Sequence, residues 1–349
     1  MKFAWRCLAL LASLSLLAWS QASKPSDGML QFARLGDFQL TNGQVIRDCR
    51  IGYRTFGQLN AQRSNAVLFP TWFSGTTAKL VDLVGPGKLV DSTKYFVILV
   101  DAIGDGVSSS PSNSAVQPRL QFPRFTIRDM VNAEHQLATQ TLGLRHLRGV
   151  IGISMGGMQT FQWAVAYPTF MDAAIPIVGS PRLTSYDLML WHTEIETIKE
   201  SAGWNGGNYT TEPNLNALTD LHTIELTSPE YFLRTTKPEQ FAHFVQETEA
   251  GGPGFDANDW IRQAQAMMSL DVSAPFGGSM ALAAAAVKAK MLIIPSQHDH
   301  MVNPHPALNF AHLRHAPILL LTSDCGHRAT GCEDAKIDAA VATFLAHPR

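Results

Sequence analysis

The stretch Leu147-Arg148-Gly149-Val150-Ile151-Gly152-Ile153-Ser154-Met155-Gly156-Gly157-Met158-Gln159 places an apolar run directly before Gly-Ile-Ser-Met-Gly, and a helical pattern follows from Met158. A Gly-x-Ser-x-Gly match alone is weak, because glycine and serine are common enough to produce it by chance. Its context is informative: a buried strand, a tight turn and a helix make the setting of a nucleophile elbow, in which a strained serine is presented at the edge of a sheet. Gly152 and Gly156 suit such a turn because side chains there would press on the serine from both sides. The alternative is a glycine-rich strand-to-helix turn that merely packs.

Working outward, short apolar runs recur at residues 66–69, 95–100, 173–178, 291–294 and 318–321. Runs of this length, apolar on both faces, fit strands of a parallel sheet covered by helices. Helical spacing at 129–142 and 158–167 gives strand-helix-strand order, which predicts an α/β fold with a mostly parallel central sheet. Before it, residues 30–35 and 44–56 alternate apolar with polar around Thr41-Asn42-Gly43, as an antiparallel hairpin does. The interval 180–289 breaks the rhythm with helical segments and Gly-rich turns at 203–208 and 251–254; it reads as a helical lid inserted between core parts 23–179 and 290–349. A separate helical domain is the other reading.

A serine hydroxyl needs a base to take its proton and an acid to orient that base. After the run 291–294 comes Asp299, in Ser296-Gln297-His298-Asp299-His300; after 318–321 comes His327, in Cys325-Gly326-His327-Arg328. The chain order Ser154, Asp299, His327 puts all three at the carboxyl edge of the sheet. The oxyanion formed in such chemistry needs two preorganised N–H groups. Met155, directly after the serine, supplies one, and the loop Thr71-Trp72-Phe73-Ser74-Gly75 supplies the other; Phe73 is our choice there, with Trp72 and Ser74 also compatible. His298, His300 and His305 surround Asp299 but lack regular ligand spacing, so they read as polar loop residues; no metal or cofactor is expected. Asp324 has no particular reason to reach the imidazole three positions on.

The 349 residues carry 27 Lys+Arg against 29 Asp+Glu with no charge block, which gives no reason to expect nucleic acid or an anionic membrane as partner. A small-molecule ester is the expected ligand. Lys2 and Arg6 precede an apolar run, 8–19, followed by Ser20-Gln21-Ala22. This reads as a secretory signal over residues 1–22, too short for the roughly 20 residues that span a bilayer, so a periplasmic or secreted location is expected. There, Cys325 and Cys332 can close a small loop around His327, with free thiols as the alternative.

The chain resembles the homoserine O-acetyltransferase family over nearly all its mature length. The resemblance rests on Tyr53-Arg54-Thr55-Phe56-Gly57-Gln58-Leu59-Asn60, Asn65-Ala66-Val67-Leu68, Gly85-Pro86-Gly87-Lys88, Tyr95-Phe96-Val97-Ile98 and Phe125-Thr126-Ile127-Arg128-Asp129-Met130-Val131. Its most specific part is Ser154-Met155-Gly156-Gly157-Met158-Gln159 with Trp163-Ala164 and Tyr167-Pro168, joined by Asp256-Ala257-Asn258-Asp259-Trp260 and Gly326-His327. The resemblance implies an α/β-hydrolase fold with a helical lid, the triad Ser154, Asp299 and His327, and an acyl-serine intermediate; a homodimer through the lid is a separate expectation, with the monomer as the alternative.

Three departures bear on the substrate. The family typically has an aspartate after its histidine to hold the amino group of homoserine, where this chain has Arg328. A guanidinium cannot stabilise an ammonium. The family also places an arginine in the lid for the substrate carboxylate, yet residues 213–231 contain neither Arg nor Lys; and Asp101-Ala102-Ile103-Gly104-Asp105-Gly106 stands where an asparagine-led motif is usual. An exported enzyme also rarely meets acetyl-CoA. The expectation is therefore hydrolysis of a small or medium ester or lactone, with O-acyl transfer to an alcohol as the second reading and a non-catalytic binding protein on this scaffold as the third. Arg328 is the candidate for an anionic substrate group, a solvated surface arginine being the alternative.

Overall fold

The computed structural model describes residues 27–348; the expected signal segment, residues 1–22, lies outside them. Its sheet has seven strands: β1 (Gln31–Gln39), β2 (Val45–Phe56), β3 (Ala66–Pro70), β4 (Phe96–Val100), β5 (Leu147–Ile153), β6 (Met171–Ile177) and β7 (Lys290–Met291), in the order β1-β2-β4-β3-β5-β6-β7. The first two form the hairpin that alternation implied, β2 is antiparallel to β4, and every later pair is parallel. The expected strand at 318–321 is represented only by bridges, Ile293 to Ile318 and Ser296 to Leu321, which continue the parallel pairing past β7.

Strand β5, which carries the serine on its end, runs between β3 and β6. All five residues of β3 and of β4 are buried, and successive side chains go to opposite sides. Ala66, Leu68, Ile98 and Val100 join one apolar cluster, while Val67, Phe69, Val97 and Leu99 join the other. This two-sided burial explains why these strands read as continuous apolar runs rather than as alternating ones.

Helix Met155–Ala166 lies on the first face against Ile127–Gln136, and all but its last residue are buried. The latter helix opens with a capping box between Thr126 and Asp129. Asp129 also accepts from the Thr41 backbone N–H at 2.7 Å, so one buried carboxylate fixes both the helix start and the hairpin turn. Helix Asp334–Ala346 covers the other face through Ile337, Val341 and Leu345. The last of these sits so close to β5 that a Cβ on Gly149 would approach its Cδ2 to 2.9 Å.

Between β6 and β7 the chain forms helices Ser185–Glu200, Asn216–Leu226, Pro229–Thr235, Phe241–Gly251, Ala257–Met268 and Met280–Ala286. Thr184, Ser228, Asp256 and Ser279 cap four of them with side-chain oxygens. Trp191 and Trp260, from two of these helices, are fully buried and lock the helical layer onto the loop after β3.

Candidate active site

Ser154 occupies the turn between β5 and helix Met155–Ala166 with φ 58° and ψ −121°, a backbone region that costs a non-glycine residue about 1–3 kcal/mol. The neighbours that permit it are glycines for a steric reason. A Cβ on Gly152 would overlap the Gly156 carbonyl, one on Gly156 would stand 2.7 Å from the Pro70 oxygen, and one on Gly157 2.9 Å from the Ile177 oxygen. The Ser154 N–H donates to the Ile177 carbonyl at 2.9 Å and its own carbonyl accepts from Met158 at 2.9 Å, so the strained residue is held from the sheet and from the helix.

The structure brings the three residues named from chain order into one hydrogen-bonded row. His327 Nε2 is 2.8 Å from Ser154 Oγ, and His327 Nδ1 is 2.7 Å from Asp299 Oδ2. Asp299 spends its other oxygen on the backbone N–H groups of Met301 and Val302, at 3.0 and 2.8 Å. Those two donors fix the rotation of the carboxylate. The carboxylate in turn directs the Nδ1 proton toward itself and leaves the Nε2 lone pair for the serine.

The turn bearing His327, Gly326–Arg328, is clamped on several sides. Gly326 adopts φ 63° with Thr227 and Ser228 where a side chain would go. Ser296 Oγ donates to the Gly326 carbonyl at 2.7 Å and Ser228 Oγ to that of Asp324 at 2.6 Å. Asp324 makes no hydrogen bond to the imidazole, whose Nδ1 is taken by Asp299. It receives a two-pronged bond from Arg234, at 2.9 Å for each oxygen, which lowers its pKa. Cys325 and Cys332 are joined as a disulfide across this turn.

Of the loop after β3, the Ser74 N–H is taken by Gln263 Oε1 at 3.0 Å and the Gly75 N–H by the Trp72 carbonyl at 3.0 Å. Among the described residues the N–H groups of Trp72, Phe73 and Met155 have no protein acceptor. Ser74 thus drops out as an oxyanion donor, whereas Met155, which begins the serine's helix where the dipole favours negative charge, keeps a free N–H, as do both Trp72 and Phe73 at the border of the serine's cavity. The Phe73 ring is fixed by Trp191 and Trp260, with centroids 4.9 and 4.8 Å away.

Ser154, His327, Phe73 and Ile153 open into a cavity of about 510 Å³. Leu83, Leu89, Leu226 and Ile337 make its wall largely apolar. Arg328 lies on its rim, exposed, beside Lys88 and the acidic Asp82, Asp334 and Asp338. A strained serine with an imidazole and a buried carboxylate in line, at a cavity mouth on a doubly covered parallel sheet, defines a family. The description "alpha/beta hydrolase fold" matches residues 84–329. The chain belongs to the alpha/beta hydrolase fold family.

It is 31% identical to an ethyl acetate hydrolase of Pseudomonas veronii over 94% of this chain and 99% of that one. It is also 31% identical to a homoserine O-acetyltransferase of Caulobacter vibrioides over 91% of this chain and 94% of that one. The solved structure of the acetyl esterase MekB superimposes with a TM-score of 0.85 at 31% identity, covering 91% of this chain and 97% of that one. This alpha/beta hydrolase is an enzyme of ester hydrolysis or acyl transfer.

Several residues at the site carry no sequence signal of their role. Gln263 Nε2 donates to the Ile103 carbonyl at 3.2 Å while its Oε1 holds Ser74, so one side chain of helix Ala257–Met268 pins the loop of Phe73. Asp187 accepts from Asn303 N–H at 2.9 Å and thereby ties helix Ser185–Glu200 to the loop of Asp299; burial raises its pKa. His222 lines the cavity, its Nδ1 2.9 Å from Glu194 Oε1. Glu194, wholly buried, also accepts from Trp260 Nε1 at 3.1 Å. Each contact joins residues far apart in the chain, which is why periodicity and motif spacing pass over them.

Proposed function

We propose that the enzyme is an exported carboxylic-ester hydrolase acting through an acyl-serine. The observation that carries this reading is the row Ser154 Oγ, His327 Nε2, His327 Nδ1, Asp299 Oδ2, with links of 2.8 and 2.7 Å at the edge of the cavity. In the first half-reaction His327 takes the Ser154 proton as Oγ adds to the ester carbonyl. The oxyanion is held by the N–H groups of Met155 and Phe73, and the protonated imidazole hands its proton to the departing alkoxide. In the second half, His327 deprotonates water, which attacks the acyl-serine, and the proton returns to Ser154 Oγ as the acid departs. Asp299 orients the imidazole throughout and stabilises its charged form.

Water is favoured over homoserine as acceptor by the departures from the family's pattern at the residue after the histidine and in the 213–231 segment. Arg328 stands on the rim after His327, and Arg234, the cation nearest in sequence beyond the 213–231 segment, is occupied by Asp324. The largely apolar wall and modest volume suit a short or medium acyl ester, and the named activities of the ethyl acetate hydrolase and the acetyl esterase point the same way. The signal-like segment and the Cys325–Cys332 disulfide support a periplasmic or secreted location. A second reading, acyl transfer to an alcohol, rests on the acetyltransferase relative.

The test compares hydrolysis of p-nitrophenyl esters of graded acyl length with acetyl transfer from acetyl-CoA to homoserine, Ser154→Ala serving as control. Serine-dependent hydrolysis that falls with acyl length and no homoserine acetylation is the expected result; efficient homoserine acetylation overturns the choice of acceptor.

A further inference from the structure

Ser154, Asp299 and His327 account for bond making and breaking, but they leave a second buried carboxylate–imidazole pair at the same cavity without a task. His222, on helix Asn216–Leu226, lines that cavity together with Ser154 and His327, and its side chain keeps 18% of its exposure. Its Nδ1 points to Glu194 Oε1 at 2.9 Å, and Glu194, with no exposure at all, has its second oxygen on Trp260 Nε1. A buried carboxylate is costly unless donors satisfy it, so this one exists with both oxygens committed.

The consequence for His222 is a fixed ring. With the Nδ1 proton directed to Glu194, the remaining polar atom of the imidazole is Nε2, which has no hydrogen-bond partner among the described residues. The ring plane is set by Trp260, centroid 4.9 Å away at 73°, and by Phe73 at 6.1 Å, the same Phe73 whose loop offers the oxyanion donor. Helix Asn216–Leu226 also packs on the turn that carries His327. An oriented polar atom thus sits in an otherwise largely apolar wall, on an element in contact with the reacting groups. Pockets use such isolated polar groups to select and orient a ligand.

We propose that His222, held by Glu194, is a substrate-binding residue whose Nε2 hydrogen-bonds a hydroxyl group of the ester, so that the substrate class is hydroxylated esters or lactones rather than plain alkyl ones. A hydroxyl is the matching group because it donates to the lone pair of the neutral ring and accepts from the N–H of the charged one. The proposal rests on the ester-processing reading of Ser154 and adds the part of the substrate that reading leaves open. A polar site of this kind discriminates against a ligand lacking the hydroxyl, because its own polar atom is then buried without a partner.

The test uses ester pairs that differ only by hydroxyl against methyl: ethylene glycol monoacetate against propyl acetate, and methyl 3-hydroxypropanoate against methyl butanoate. They place the hydroxyl on the alcohol or on the acyl side. kcat and KM are measured for the disulfide-bonded chain and for His222→Phe, His222→Gln and Glu194→Gln. Phe keeps an aromatic ring against Trp260 and Phe73, Gln restores a hydrogen-bonding group near Nε2, and Glu194→Gln keeps the shape while loosening the ring.

In at least one pair the hydroxyl ester's advantage in kcat/KM is expected to shrink about tenfold in His222→Phe, mainly through KM, to fall by less in Glu194→Gln, and to return in part in His222→Gln. Equal ratios in the parent and His222→Phe for both pairs overturn the proposal and leave the ring as an aromatic wall. If the parent hydrolyses none of these esters, the reading of Ser154 fails instead. Binding of the same pairs to Ser154→Ala protein, followed by ligand-detected NMR, then decides the present point: a hydroxyl advantage lost in Ser154→Ala/His222→Phe supports it, and equal binding overturns it.

Discussion

Replacing Asp299 by asparagine isolates the orienting role of the carboxylate, because the surrounding hydrogen bonds dictate how the amide must sit. Oδ1 accepts from Met301 N–H at 3.0 Å and Val302 N–H at 2.8 Å, while Oδ2 faces His327 Nδ1 at 2.7 Å. An asparagine keeps its oxygen on the two backbone donors, which turns its NH2 toward Nδ1. The imidazole must then accept at Nδ1 and carry its proton on Nε2, facing Ser154 Oγ with the wrong atom for a base. The flipped amide that restores the productive tautomer opposes NH2 to two N–H groups. Two buried donors left unpaired cost roughly 4 kcal/mol together, so about one molecule in a thousand adopts it.

Asp299→Asn is therefore expected to lose about 10³–10⁴ in kcat for p-nitrophenyl acetate. That corresponds to about 4–5 kcal/mol of activation free energy. Asn fills the same volume, so Tm and the far-ultraviolet circular dichroism should stay near those of the parent. Stopped-flow release of p-nitrophenolate measures the acylation step directly. A variant within tenfold of the parent, with unchanged stability, refutes the assignment of Asp299 as the group that fixes the tautomer.

Gln263→Leu frees the Ser74 N–H from its 3.0 Å bond and lets the oxyanion loop move; kcat should fall about ten- to a hundredfold with a smaller change in KM, as read by steady-state kinetics. Removing the disulfide by Cys325→Ala and Cys332→Ala opens a loop of seven-residue separation around His327, and chemical unfolding should show a loss of about 2 kcal/mol. Burial lifts the Glu134 carboxyl from 4.5 to about 8, although the Trp163 hydrogen bond opposes the shift. The folded state therefore binds this proton more tightly than the unfolded chain does. Its share of stability is intact below about 4.5 and is lost as pH rises through about 8. Glu134→Gln should flatten that decline in Tm measured between pH 5 and pH 9.

How much of this could be read beforehand depended on the range of the interaction. The elbow is local: a strand, two glycines and a helix lie within a dozen residues of Ser154, so sequence alone located it. Asp299 and His327 were legible because each comes after an apolar run, and the loops that leave the ends of parallel strands emerge at one edge of the sheet. The run 318–321 was harder to interpret as structure. Only Ile318 and Leu321 bridge to the neighbouring strand, since at the sheet margin a run needs few partners to place the histidine turn.

The helices between β6 and β7 were visible as helices but their contacts with the site were not. Gln263 reaches Ser74 across 189 positions, and Glu194 meets His222 across 28 positions between two helices. Neither pair falls on a helical or strand period, so no spacing rule connects them. Arg328 illustrates the opposite situation: it was conspicuous in sequence, and it lines the cavity as an exposed residue with no hydrogen bond to another described side chain.

The central claim is that an acyl group resides covalently on Ser154 during turnover. Quenching the reaction with p-nitrophenyl acetate in acid within the first turnovers, digesting the protein and sequencing the peptide that spans Leu147 to Gln159 by mass spectrometry reads this directly. The account predicts an added acetyl group on Ser154, absent from Ser154→Ala and accumulating in any variant slowed at the water step. Steady hydrolysis that survives in Ser154→Ala, or an acetyl group found only on another residue, would contradict it.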